Sequence, residues 1–179
     1  MLKKDEKMDR IRAVKDRGIT LIELIIGISI IGILVVALGF EFSGWTGDYR
    51  VESQTKEMYV DLMNARARAM QRNTMHFVDL PVAQPRQYAI YADTNTVPDG
   101  NSTLETASDT PVLQKNIDYT IVPALAFGAT RFNFNKDGLV SHNGTIRLST
   151  SLTSDYDCIV LFSTRINMGK WNGASCDIK

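Results

Sequence analysis

Glu23 is the ionisable residue with the most unusual surroundings, because it lies inside an otherwise apolar run. Of the 22 residues from 19 to 40, only Thr20, Glu23 and Ser29 are polar. An ionised group inside a membrane-spanning helix costs about 2–4 kcal/mol at mid-bilayer and less near a helix end. We therefore expect Glu23 to need a cationic partner, unless its carboxylate only complements the dipole at the helix N-terminus.

The run around Glu23 is long enough to cross a membrane. As a helix its 22 residues extend about 33 Å, and the hydrocarbon core of a bilayer is about 30 Å thick. We expect a transmembrane helix over 19–42, surrounded by membrane lipid. Residues 1–18 form a polar leader with a net charge of +3. Because basic residues favour the cytoplasmic side of a membrane helix, the leader should be cytoplasmic and the C-terminal part exported.

The order of these features resembles the class III signal of type IV pilins and pseudopilins. A basic leader is followed by Gly18, by Ile19-Thr20-Leu21-Ile22-Glu23 and by the apolar run. The resemblance implies that prepilin peptidase cuts after Gly18 and methylates the new amino terminus at Ile19. It also implies a role of Glu23 in assembly, because the family has a glutamate at the fifth mature position. Such a cut leaves the apolar segment attached, whereas the cut of an ordinary secretory signal removes it.

Beyond the apolar run, the sequence changes from a helical period to a period of two. A stripe at steps of three and four residues predicts a soluble helical half over 43–73 with one buried face. Alternating residues after it predict a periplasmic β-rich domain over 74–179. The stripe consists of Val51, Thr55, Met58, Leu62, Ala65 and Ala69. The predicted strands are Met75–Leu80, Gln87–Ala92, Tyr119–Val122, Thr130–Phe134, Thr145–Ser149, Cys158–Ser163 and, as a seventh, Arg165–Met168.

Two connections in this domain have clear signals. Asp137-Gly138 is a turn signal between a strand and Leu139-Val140. Residues 93–111 are rich in Asn, Thr, Ser, Asp and Pro without apolar periodicity, which predicts a long surface loop. Calcium binding is an alternative role for the loop carboxylates, but their spacing is not that of an EF-hand site. These carboxylates belong to Asp93, Asp99, Glu105 and Asp109.

The chain from Tyr49 onward resembles the GspH/FimT group of minor pilins and pseudopilins. The resemblance rests on the stretch YRVESQTKEMYVDLMNARARAMQRNTMHFVDL, the turn F-N-x-D-G-x-V and the late strand CIVLFSTRINM. It implies an α+β pilin fold, in which a long N-terminal helix with a transmembrane and a soluble amphipathic half packs on an antiparallel β-rich C-terminal domain.

For function, the resemblance implies a structural minor subunit that assembles through its N-terminal helix. The filament would be the pseudopilus of a type II protein secretion system or a type IV pilus. The implied partners are other pilin or pseudopilin subunits, prepilin peptidase and the inner membrane assembly platform. The implied location is the bacterial inner membrane, crossed once, with later incorporation into a periplasmic pseudopilus or a surface pilus.

DNA binding in natural transformation is an alternative function, because some FimT-like pilins bind DNA. The candidate contacts are Arg165, Lys170 and Trp171 near the C-terminus. Cations beside an aromatic ring hold phosphate and stack on a base. Nucleic acid is a partner only under this alternative.

Signals for catalysis are missing from the sequence. It has no Gly-rich phosphate loop, no G-x-S-x-G and no H-E-x-x-H motif. His76 and His142 have no cysteine or second histidine at the spacing of metal ligands. We therefore expect no enzymatic activity, no cofactor and no bound metal.

Cys158 and Cys176 are the two cysteines of the chain. Because an exported domain lies in an oxidising compartment, we expect a disulfide between them. The alternative is that Cys158, inside an apolar strand, is a buried thiol.

Overall fold

The computed structural model describes residues 18–95 and 100–179, and for 38–45 it describes the backbone alone. Residues 1–17 of the predicted leader and Asp99 of the predicted loop lie outside the described residues. The chain divides into two compact units, with the boundary between Phe42 and Ser43.

The helix α1 extends from Leu21 to Arg72, a length of 52 residues. Thr20 caps its start, because the Thr20 Oγ1 accepts a hydrogen bond from the backbone N–H of Glu23 at 3.3 Å. After the last helical residue, Asn73 adopts a left-handed conformation with a φ of 53°. A left-handed residue at this position is a common helix end, and asparagine tolerates it better than most residues.

Nine strands are formed by the described residues after α1. In chain order they are β1 (His76–Asp79), β2 (Gln87–Ala92), β3 (Thr110–Asn116), β4 (Thr120–Leu125), β5 (Arg131–Phe134), β6 (Gly144–Ser149), β7 (Cys158–Leu161), β8 (Ile166–Trp171) and β9 (Cys176–Ile178).

The strands form two antiparallel sheets. The first has the order β3-β2-β1-β5 and the second the order β4-β6-β7-β8-β9. The turn Ala126–Gly128 follows β4 of the second sheet and leads to β5 of the first. A second connection is the predicted Asp137-Gly138 turn, in which the Gly138 N–H donates to the Asn135 carbonyl at 2.9 Å.

The buried face predicted for the soluble half of α1 is confirmed. All six residues of the stripe are at most 2% exposed. Met58, Leu62, Ala65 and Ala69 of the stripe belong to one cluster with residues of both sheets. That cluster includes Phe132 and Phe134 of β5 and Ile159 of β7. The apolar stripe therefore holds α1 and the two sheets around one core.

Seven of these nine strands correspond to predicted strands, with ends that differ by up to three residues. Strand β3 was not predicted, and its first two residues fall in the segment that we expected to be a loop. It is an edge strand without a clean alternation, and Pro111 lies at a register shift opposite Tyr91. Strand β9 was also missed, because its three residues are too few for a period.

Candidate assembly site

Gly18 and Ile19 precede α1 and are exposed. Among the residues that the structure describes, no atom would lie within 4 Å of a Cβ added at Gly18, and Ile19 is 75% exposed. In the described residues, nothing therefore obstructs access to the peptide bond between them.

Glu23 lies in the first turn of α1 and is exposed. The sequence Thr20-x-x-Glu23 has the spacing of a capping box, a local signal for the start of a helix. The ion pairs formed among the described residues do not include Glu23. The described residues therefore account for the start of the helix at Thr20 but supply no cation for the carboxylate.

The helix residues around Glu23 have an apolar surface on every side. From Ile19 to Val36, thirteen large apolar side chains are between 45% and 77% exposed. Soluble monomers rarely expose a contiguous apolar patch larger than a few hundred Å².

Within the described part of the chain, no helix meets the combined length and hydropathy expected of a membrane span. The transmembrane helix over 19–42 stays a prediction.

The predicted disulfide is confirmed. Cys158 of β7 and Cys176 of β9 are bonded, with their Cα atoms 6.1 Å apart. The strand β8 lies between them, and Gly169 of β8 is opposite Cys158. A Cβ at Gly169 would lie 2.9 Å from the Cys176 Sγ and would overlap the Asp177 carbonyl. The bridge therefore requires glycine at 169, and it ties the short strand β9 to the sheet.

Two family comparisons match the chain. Residues 14–39 match the prokaryotic N-terminal methylation motif. Residues 54–164, more than half of the chain, match the family described as type II transport protein GspH. The chain belongs to the GspH family.

Comparison with solved structures supports the same assignment at the level of fold. The chain is similar to the type IV minor pilin FimU of Pseudomonas aeruginosa, strain PAO1, with a TM-score of 0.51 and 13% identity. The match covers 74% of this chain and 96% of the FimU chain. The GspH-family chain therefore has the α+β type IV pilin fold. No curated protein matches the chain.

Family and fold together identify a minor pseudopilin or pilin. Such a GspH-family chain assembles with other pilin subunits and is processed by prepilin peptidase. It is part of a membrane-anchored periplasmic pilus, and its family and fold are those of structural pilins. The predicted signal class and family are confirmed.

The three candidate DNA contacts of this GspH-family chain are not brought together. Arg165 precedes β8, and its guanidinium lies over the ring of Phe162 at 4.5 Å. Lys170 and Trp171 are at the other end of this six-residue strand, about 20 Å away, and adjacent strand residues point to opposite faces. The Trp171 ring already contacts the Arg147 guanidinium at 4.7 Å. The comparisons give DNA binding no specific support.

The carboxylates of the long loop have structural partners. Asp93 and Asp109 are 1% and 4% exposed. Asp93 accepts hydrogen bonds from the N–H groups of Asn101 and Ser102 at 3.1 and 2.7 Å, and Asp109 accepts one from the N–H of Glu105 at 2.7 Å. Among the described residues, no three His, Cys, Asp or Glu side chains form a group able to hold a metal ion. These two carboxylates therefore order the loop.

A polar contact that the sequence pattern did not predict joins α1 to the first sheet. The hydroxyl of Tyr88 donates to the Asp61 carboxylate at 2.6 Å. The ammonium group of Lys115 lies 2.7 Å from both the Glu57 and the Asp61 carboxylates. The helical period of the apolar residues marks only the buried face of α1. The polar residues at the edge of that face have no such period, so the sequence did not indicate their contact with the sheet.

Proposed function

We propose that this chain is a minor subunit of a type II secretion pseudopilus, which it enters through the first part of α1. The observation that carries the proposal is the apolar surface from Ile19 to Val36 with one carboxylate, Glu23, in its first turn. Such a surface needs lipid or other helices to cover it. The description of the matched family as a type II transport protein supports the secretion system over the pilus.

In this proposal, prepilin peptidase cuts after Gly18 and methylates the amino group of Ile19. The segment 19–42 then anchors the subunit in the inner membrane, where lipid and the assembly platform contact it. Removal of the +3 leader leaves a mature chain with a net charge of −3. The soluble half of the helix over 43–73 and the β-rich domain over 74–179 lie in the periplasm.

In this proposal, cleavage creates a cation that can pair with Glu23. The new amine at Ile19 is four residues from Glu23 in the same chain and is also displayed by each neighbouring subunit. A pair within one subunit only offsets the cost of burial. A pair between subunits also sets their axial register, because a mismatched neighbour leaves two unpaired charges in lipid at a cost of several kcal/mol.

The substitution Glu23→Leu tests this role in cells that produce the other filament subunits. We expect the variant to be cleaved and inserted in the membrane like the wild type, but to be absent from isolated pseudopili. Immunoblots of the membrane and filament fractions measure both properties.

The matched control is Ser29→Ala, which removes another polar group from the same run. The Ser29 hydroxyl donates to the Ile25 carbonyl at 2.7 Å, so its hydrogen bond is satisfied within the helix and its loss should not affect assembly. If Glu23→Leu enters filaments as well as Ser29→Ala does, Glu23 is only a helix N-terminal carboxylate.

A further inference from the structure

Phe127 is the most exposed large apolar residue in the described part of the chain. It lies in the turn Ala126–Gly128 between the two sheets, and its side chain is 100% exposed. It therefore contributes nothing to the core.

The backbone at Phe127 is also unfavourable for phenylalanine. Its φ and ψ are 60° and 21°, and Gly128 follows with a φ of 67°. The Ala129 N–H donates to the Ala126 carbonyl at 3.3 Å and closes the turn. Two consecutive left-handed residues define a type I′ turn, which strongly favours asparagine, aspartate or glycine at the first of them. A bulky residue there is an outlier.

Neither the core nor the turn explains a phenylalanine at this position. A strained conformation that persists without any gain for the fold is typical of a functional contact. Aromatic side chains that fill a recess on a partner are among the strongest contributors to protein interfaces.

The surroundings of Phe127 indicate the chemistry of the partner. No charged residue occurs between Asp118 and Arg131. The neighbouring chain segment, where the Ala126 N–H donates to the Asn143 carbonyl at 2.8 Å, has no acidic or basic residue from 139 to 146 apart from His142. Membrane-inserting segments usually combine aromatic residues with lysine or arginine. An uncharged protein surface fits this turn better than a lipid surface does.

We propose that the turn Ala126–Gly128 is a docking knob, and that Phe127 inserts into an apolar recess on the domain of a neighbouring pilin-family subunit. The inference rests on the proposed function, because it requires a neighbour in the filament. It adds to the helix contact at Glu23 a second contact, made by the β domain. Because the knob is uncharged, this contact should persist at high salt.

The substitution Phe127→Asn separates docking from folding. Asparagine-glycine is the preferred pair for a type I′ turn, so the full chain in detergent should unfold about 2–4 °C higher than the wild type. The amount of the chain in isolated pseudopili should fall about tenfold or more, because an interface aromatic is lost. The control Val82→Asn changes a residue that is 73% exposed in another turn, and it should leave assembly unchanged.

Photo-crosslinking identifies the partner directly. The full chain is produced in cells with benzoylphenylalanine at position 127, or at position 82 as the control. We expect a crosslinked product with a pilin-family subunit, which includes a second copy of this chain, from position 127 and not from position 82. The yield of this product should be the same in high salt. A product with lipid, with an unrelated protein or with nothing would overturn the inference.

Assembly of the variant distinguishes the two proposals from each other. If Phe127→Asn enters pseudopili as the wild type does, the docking knob is wrong and the proposed function stands. If the wild-type chain itself is absent from pseudopili, the proposed function fails, whatever the crosslinks are.

Discussion

His76 is a polar residue at the centre of the domain that takes no part in the proposed assembly contacts. Its side chain is fully buried, and the Nδ1–H donates to the Thr74 carbonyl at 3.0 Å. The Nε2 atom is buried and has no hydrogen-bond partner among the described residues. Burial lowers the pKa of His76; the hydrogen bond to Thr74 opposes this shift, and Arg72 and Arg68 add to it. The folded domain therefore disfavours the imidazolium.

This gives a prediction for acidic conditions. Above the ordinary histidine pKa of about 6.5, both folded and unfolded states hold neutral His76 and there is no penalty. As the pH falls below that value, the unfolded chain binds a proton that the folded chain resists, so stability is lost. Thermal unfolding of the full chain in detergent at about pH 7 and about pH 5 measures the loss.

The comparison variant for this measurement is His76→Phe, which keeps an apolar ring of similar shape without a titrating group. Between the two pH values, we expect the midpoint temperature of thermal unfolding to fall less for His76→Phe than for the wild type. An equal fall in both proteins would mean that other groups, such as carboxylates, cause the acid dependence.

At the scale of elements, the edge of α1 is held to the first sheet by a polar cluster of Glu57, Asp61, Tyr88 and Lys115. Burial raises the pKa of Tyr88, and its hydrogen bond to Asp61 raises it further. Burial lowers the pKa of Lys115, but the hydrogen bonds to Asp61 and Glu57 raise it by more, so that the pKa is raised overall. Both groups thus hold their protons more tightly in the folded state than in the unfolded state.

Both shifts predict the same pH dependence. The stabilising contribution is fully present below the ordinary pKa values, about 10 for tyrosine and about 10.4 for lysine, and is lost as the pH rises above them. Tyr88→Phe should cost about 1–2 kcal/mol at neutral pH, because Asp61 loses a buried donor. It should also reduce the loss of stability at alkaline pH. Urea unfolding at about pH 8 and about pH 11 measures both effects, and an unchanged alkaline loss would contradict the role of Tyr88.

The elements also separate what the sequence could predict from what it could not. The buried stripe from Val51 to Ala69 was predicted residue by residue, because burial on one side of a helix imposes a period of 3.6. The strand β3 was not predicted, since an edge strand that is half exposed on both faces has no regular alternation of buried and exposed residues. The contact of Lys115 with α1 could therefore not be predicted either, because Lys115 lies in β3. Likewise, Phe127 contradicts turn preferences, so no sequence rule places a type I′ turn there.

At the scale of the whole molecule, the predicted assembly site has a sequence signal that is local and linear. The proposed peptidase recognition and the proposed pairing of the carboxylate depend on Gly18, Ile19 and Glu23, which are close in sequence and need no tertiary fold. The candidate DNA contacts are near in sequence but are not brought together, since Arg165 precedes the extended strand β8 and Trp171 ends it. Extended strands separate residues about twice as far per residue as helices do.

The leader therefore gives the sharpest whole-molecule prediction, which is that the mature chain begins at Ile19. A Cβ at Gly18 meets nothing within 4 Å among the described residues, so Gly18→Val should not disturb their fold. It should block a peptidase that approaches the backbone closely at glycine, and the full-length precursor should accumulate in the membrane.

Intact-mass measurement of the membrane-extracted chain tests this prediction. The wild type should lack residues 1–18 and carry one methyl group, whereas Gly18→Val should retain the leader. Gly32→Val is the matched control, because a Cβ at Gly32 also has no atom within 4 Å apart from its own helix backbone, and it should be cleaved normally. A wild-type chain that keeps its leader, or that begins at another residue, would contradict cleavage after Gly18. It would also remove the amine that the proposed pairing of Glu23 requires.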